Sequence, residues 1–463
     1  MILKISGALA LILLPAFAMA DEFVFVPNYD ETKVPVYTLP NVLSGVNSAA
    51  EWPAKRLHWH ELIAKEMFGR IPASAEKEKA VILRTLPDKS ILGDKGIMRQ
   101  LVIGLAGEEL NLMLLLPKNS TQEPVPVFLG YNFEGNHTVF NDPDIVPPTS
   151  LMFKNKGNEA WEKDRGTSAK RWAFEKIIDA NMGLATLYYG DVDPDFDDGF
   201  KNGVHQRLGV PRADEAASIG TWAWALSRIL DILDSSVTEV NGSKVALIGH
   251  SRLGKTSLWA GASDERFALV ISNNSGCGGA ALSRRQFGET LRRINHNFPH
   301  WFCENFHRYS EHVDSLPFDN HILLSLIAPR PLYVASAIDD EWADPKGEFL
   351  SCLHANPVYR LLGTEGLPMK EMPPLDTPSH GRIGYHVRTG KHTLLTSTGN
   401  NTSPSRRSTS LHRPSNTKIK TLPSNKDWEN SPVIADVSKR RLSQRTGQAI
   451  HFRFRDCRLP KAC

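Results

Sequence analysis

Short apolar runs recur along the chain at residues 111–116, 125–129, 182–189, 244–249, 267–272, 331–337 and 384–387. Runs of this length suit strands buried on both faces. Between several of them the apolar spacing lengthens to a helical period, as at 216–233 ahead of the run that begins at Lys244. Another helix is expected over 54–68, inside a leading region, 21–75, that Pro27, Pro35 and Pro40 hold extended at its start. Strands interleaved with helices predict an α/β fold, with a mostly parallel sheet covered by helices on both faces in a three-layer sandwich.

The two ends depart from this pattern. Residues 1–20 have the form of a secretory signal: Lys4, an apolar stretch over 8–17, and Ala18-Met19-Ala20 as a small-residue cleavage site. The mature chain is expected to begin near Asp21 and to be secreted or periplasmic. No later run approaches the roughly 18 apolar residues of a membrane span. From residue 393 to 463 amphipathic spacing disappears into Ser, Thr, Asn and basic residues, so a disordered tail is expected after a folded region of 21–392. Residues 401–463 hold 14 Lys and Arg against 4 Asp and Glu, whereas 1–400 hold 40 against 47. The overall charge of +3 therefore hides an acidic body, and nothing clusters basic residues on a folded face as a nucleic-acid-binding domain requires. A monomer without membrane or nucleic-acid partners is the expectation. Five cysteines, none in a CxxC arrangement, give no zinc motif; buried thiols are expected, with Cys277 and Cys303 a conceivable pair.

The stretch KVALIGHSRLGKTSLWAGA, residues 244–262, reads as strand, tight turn and helix. In α/β-hydrolases a serine at such a turn projects its hydroxyl above the sheet, which makes Ser251 the candidate nucleophile. The second glycine is Gly254, one place later than in G-x-S-x-G. A small residue in an ordinary strand-to-helix turn is the plain alternative, and the strand and helix on either side argue against it. Arg252 follows directly and can stabilise negative charge on a tetrahedral oxygen. Lys255 lies one turn further along the same face. Two cations beside a nucleophile suit a substrate that bears a carboxylate.

Hydrolases of this fold place an acid and then a histidine after the serine. The run 331–337 ends in IDDEWADPKGEF, where Asp340 is the preferred acid and Asp339 and Glu341 are close rivals. His392, in RTGKH beyond the run 384–387, is the candidate base, while His386 inside that run reads as a packed core residue. This set implies acyl transfer through a serine ester, with no metal and no cofactor. The acidic string GDVDPDFDDGF, 190–200, lacks EF-hand spacing and reads as a rim loop of the site.

Together GHSRLGK, NNSGCGGAALSRRQFGET, LIAPRPLYVASAIDDEWADPKGEF and GYHVRTGKH resemble the bacterial glucuronoyl esterases of carbohydrate esterase family 15, over about residues 28–392. The resemblance implies an α/β-hydrolase that cleaves the ester between 4-O-methyl-glucuronic acid of glucuronoxylan and an alcohol of lignin. It implies Ser251 as nucleophile, Arg252 as oxyanion-stabilising side chain and Lys255 as a contact to sugar hydroxyls. Glu289 and Trp342 match the family's sugar-binding positions. Fungal members carry the acid in an ESG segment; here that segment is Asn274-Ser275-Gly276, so the role passes to Asp340. Members continue past the GKH histidine with an acidic residue and an amphipathic helix. The polar text from Thr393 suggests instead a reading-frame shift just past His392, which translation of the other two frames would reveal. Two other functions remain open: a different carbohydrate esterase, such as one removing acetyl groups, and a sugar-binding hydrolase homologue with impaired chemistry.

Overall fold

A computed structural model describes residues 23–148, 150 and 159–394. The leader at 1–20 and the tail from 395 lie outside the described residues, so the expectations placed on them stay untested.

Among the described residues ten strands form one sheet: β1 (Val81–Thr85), β2 (Lys89–Ile91), β3 (Gly96–Leu105), β4 (Glu108–Pro117), β5 (Val125–Asn132), β6 (Gly183–Tyr188), β7 (Val240–His250), β8 (Leu269–Asn273), β9 (Leu332–Ala337) and β10 (Ile383–Arg388). Their order is β1-β3-β4-β6-β5-β7-β8-β9-β10, with β2 paired to β3. From β6 to β10 every pairing is parallel, and the first strands close the sheet as an antiparallel edge. The seven expected strands are all present within a few residues of their expected limits; β1, β2 and β3 were not anticipated. The two expected helices occur as Trp52–Ile63, extended by a π turn at Ala64–Phe68, and Ser218–Ser236.

Alternation along each strand builds both cores. In β7, Val245 and Leu247 face one way, against Trp222, Ile229 and Leu258 of the helices Ser218–Ser236 and Arg252–Ser263. Ala246 and Ile248 face the other, in a cluster with Phe128, Leu184, Trp172 and Ile177. Burial of both faces is what the uninterrupted apolar runs encode. Chain order reverses about β5: β6 lies on one side of it and β7 on the other. Open parallel sheets bind ligands beyond the carboxyl ends of the strands at such a reversal.

Cys277, Cys303 and Cys352 are buried free thiols, as expected, and the alternative pairing of Cys277 with Cys303 is not formed. One expectation is corrected here. The acidic string is not a rim loop throughout, because Asp191, Asp193 and Asp195 are all buried and only its second half reaches the surface. His386 is a core residue as expected, fully buried with Nδ1 3.0 Å from the Tyr333 hydroxyl. Among the described residues no helix is long and apolar enough to cross a membrane.

Candidate active site

Ser251 stands between β7 and the helix Arg252–Ser263 with φ 57° and ψ −128°, in the positive-φ region that a non-glycine residue enters only under constraint. Its N–H donates to the Asn273 carbonyl at 2.9 Å, tying the turn to the end of β8. Space requires the first of the two glycines around it: a Cβ at Gly249 would lie 1.9 Å from the Leu253 carbonyl oxygen. At Gly254 a Cβ would sit in tight contact, 3.0 Å from Ser275 Cβ, while Leu253 is turned into the core.

Asp340 and His392 meet at the ends of β9 and β10. His392 Nδ1 lies 2.6 Å from Asp340 Oδ2. Asp340 is buried, whereas its rivals Asp339 and Glu341 are exposed. The Asn274 side-chain amide donates to the same Asp340 oxygen at 2.7 Å. Asn274 therefore has a place in the site as a donor to the acid, a part the sequence reading did not give it. The His392 ring packs beside His250, with centroids 4.5 Å apart, and so lies over the strand end that carries Ser251. Burial, then the neighbouring His392 and Arg171, hold the His250 imidazole well below its ordinary pKa. Its Nδ1 lies 2.7 Å from the Asn273 amide, an arrangement that suits a neutral ring.

The segment that carries His392 is pinned from beneath. Arg388 donates to the carbonyls of Thr389, Lys391 and Thr393 at 3.2, 2.7 and 2.6 Å, and Asn273 reaches Thr393 as well. Leu394 then lines a cavity together with Tyr131, Phe133, Trp172 and His250. His392 itself keeps 41% of its side-chain surface exposed.

Arg252 is drawn away from solvent into an ion pair with Asp195, and its guanidinium lies 4.7 Å from the centre of the Trp301 ring. Lys255 is buried; its ammonium donates to the Ser275 carbonyl at 2.6 Å and lies 5.7 Å from the same ring. Burial lowers its pKa, and the nearby Glu289 works against that shift. Burial likewise raises the Glu289 pKa, opposed in turn by Lys255, a hydrogen bond from Trp342, His392 and Arg252. Main-chain pairing of the Glu289 N–H to the Trp342 carbonyl at 3.0 Å brings these two residues together. All seven candidate residues thus gather at one end of the sheet. Sequence reasoning missed Asp195, Trp301, Asn274 and Arg388.

Half-buried serine, imidazole, buried acid and a neighbouring guanidinium can perform nucleophilic acyl transfer, with the cation meeting the negative charge that forms on the carbonyl oxygen. Among the described residues no group of His, Cys, Asp or Glu is arranged to hold a metal ion.

Residues 209–363 match the family model for fungal glucuronyl esterases. The chain is 45% identical over 384 residues to carbohydrate esterase MZ0003 of an unknown prokaryotic organism, covering 79% of this chain and 88% of that one. The structure of the glucuronoyl esterase from Solibacter usitatus superposes with a TM-score of 0.73 at 40% identity, covering 79% of this chain and 96% of that chain. A 4-O-methyl-glucuronoyl methylesterase of Phanerochaete carnosa is 32% identical over 243 residues, 50% of this chain and 57% of its own length.

Proposed function

Since the chain belongs to the glucuronoyl esterases of carbohydrate esterase family 15, we propose that it hydrolyses the ester joining 4-O-methyl-glucuronic acid of glucuronoxylan to an alcohol of lignin. It is a serine-type carboxylic ester hydrolase on an α/β-hydrolase scaffold. The reading is carried by one observation: His392 Nδ1 is held on buried Asp340 at 2.6 Å, at the sheet end where Ser251 sits in a strained turn.

In this mechanism Ser251 Oγ attacks the ester carbonyl carbon while His392 accepts its proton. Asp340 keeps the imidazole in the Nδ1–H form and offsets the charge that develops on it. The carbonyl oxygen becomes an oxyanion beside the Arg252 guanidinium. Collapse breaks the bond to the alcohol, which leaves with the proton from His392, and the uronoyl group remains esterified to Ser251. Water, deprotonated by His392, adds to that ester; the uronic acid departs and Ser251 regains its proton. Lys255, Glu289 and Trp342 hold the sugar. The protein is read as exported, from the pattern of residues 1–20, and as acting alone.

Purified chain beginning at Asp21 should release benzyl alcohol from benzyl glucuronate, and Ser251→Ala should reduce the rate at least about 10³-fold. Equal or faster release of acetate from an acetylated sugar would redirect the assignment to another carbohydrate esterase. The exposure of His392 favours one further reading, a uronate-binding homologue with weak turnover. Retained uronate binding without a burst of alcohol would establish it.

A further inference from the structure

Asp195 has a completely buried carboxylate. Four side chains converge on it. The Tyr189 hydroxyl donates to Oδ2 at 2.7 Å, Trp301 Nε1 donates to Oδ1 at 2.7 Å, His300 Nε2 lies 3.0 Å from Oδ1, and Arg252 forms the ion pair. Although burial by itself would raise its pKa, the hydrogen bond from His300, the charge of Arg252 and the bonds from Trp301 and Tyr189 hold Asp195 down to about 2. Its four partners hold it as an anion against Arg252.

The arrangement is more specific than a buried ion pair. The indole that Asp195 holds by its N–H is the same ring against which Arg252 stacks at 4.7 Å, with Phe298 and Phe133 flanking at 5.6 and 5.8 Å. One carboxylate thus fixes both the guanidinium and the surface beneath it. Arginine has a long stem with much rotamer freedom, so without such a lock its head would wander relative to Ser251. The loop that presents Asp195 is itself held: Trp222 Nε1 donates to the Asp193 carbonyl at 2.9 Å, and Ser218 Oγ donates to the Asp193 carboxylate at 2.5 Å.

We propose that Asp195 is a positioning residue for ester hydrolysis: it fixes Arg252 where the oxyanion forms and acts on the reaction only through that guanidinium. The inference rests on the reading of Arg252 given above. Preorganised charge lowers the barrier because no reorganisation is needed as the oxyanion develops, and a displacement of about 1 Å can cost on the order of 10²-fold in rate.

The test is a double-mutant cycle on benzyl glucuronate, together with nitrogen NMR of the Arg252 Nε–H, assigned by its loss in Arg252→Ala. Asp195→Asn removes the negative charge while keeping the size and shape of the side chain. It should lower kcat about 10- to 100-fold with KM changed less than about threefold, a loss confined to the transition state. In an Arg252→Ala background the same substitution should cost less than about threefold. The Arg252 resonance, sharp and slow to exchange in the parent chain, should broaden in Asp195→Asn. Should Asp195→Asn fail to fold, Tyr189→Phe removes one support while keeping the charge, and a severalfold drop in kcat with the same broadening is expected. Wild-type kcat in folded Asp195→Asn, or an equal penalty with and without Arg252, overturns the positioning role while leaving the esterase reading intact. If the parent chain has no turnover, the esterase reading fails, and an unchanged Arg252 resonance in Asp195→Asn overturns the positioning claim independently.

Discussion

At the scale of single residues, the candidate acid Asp340 is buried beside His392, while Asp339 and Glu341 on either side of it are exposed. Asp339, Asp340 and Glu341 differ in which side of a turn they face, and only the fold decides that. Asn274 was set aside because an amide cannot be a triad acid, yet it donates to the oxygen of Asp340 that His392 also contacts. Removing one of two donors to a buried carboxylate leaves it less well held, at a cost of about 1 kcal/mol. Asn274→Ala should therefore lower kcat roughly three- to tenfold with KM little changed, and steady-state kinetics on benzyl glucuronate would reveal an unchanged kcat if the amide is idle. Glu348 is a second buried acid that sequence pattern does not expose. It accepts from Ser336 Oγ at 2.5 Å and from the Gly276 N–H at 2.9 Å, and burial pushes its pKa from 4.5 up to about 8. An unfolded chain releases that proton near 4.5, so between pH 4.5 and 8 the folded state binds more protons and stability falls as pH rises. Glu348→Gln, which mimics the protonated form, should flatten this part of the curve and raise Tm at pH 8. Thermal melts at pH 5 and pH 8 decide it, and parallel curves for the two proteins would count against a protonated Glu348.

At the scale of elements, strands with two buried faces were legible because an unbroken apolar run is their signature. The outer strands β1, β2 and β3 were not. In β3, Arg99 and Gln100 interrupt the run, and each is satisfied by partners outside the strand: Arg99 by Asp88 and the distant Glu239, Gln100 by the Asp144 carbonyl. Polar residues whose partners lie elsewhere in the fold look, in one dimension, like a loop. The strand–turn–helix around Ser251 was legible for the opposite reason, since its constraints are local. Gly249 has no room for a methyl group, as the Leu253 carbonyl and Ser257 Oγ occupy that space. Gly249→Ala should destabilise the fold by at least about 2 kcal/mol. Chemical denaturation should show the midpoint falling with the slope unchanged, and an undiminished midpoint would mean that the turn relaxes freely.

Across the described molecule, the site is assembled from segments between Asp195 and His392, and His392 is borne on a short loop after β10. Everything upstream sits on a sheet with two packed faces; His392 depends on the few contacts that hold residues 389–394. Arg388 supplies most of them, from a side chain almost wholly buried beneath three carbonyls, while Asp376 takes the Thr389 N–H and hydroxyl at 3.0 and 2.7 Å. Arg388→Met preserves the stem and the packing but leaves those carbonyls without their donor. Because β10 stays paired to β9 along its whole length, the fold should survive with a modest loss of stability. The imidazole, in contrast, loses its fixed distance from the strand end that carries Ser251. The expected result is a drop in kcat of about 10- to 100-fold, since small misplacements of a general base are costly, with KM nearly unchanged because sugar contacts come from other segments. Kinetics paired with thermal melts separate the possibilities. A Tm loss with kcat intact would show that His392 finds its position from Asp340 alone and that Arg388 serves only the end of the fold.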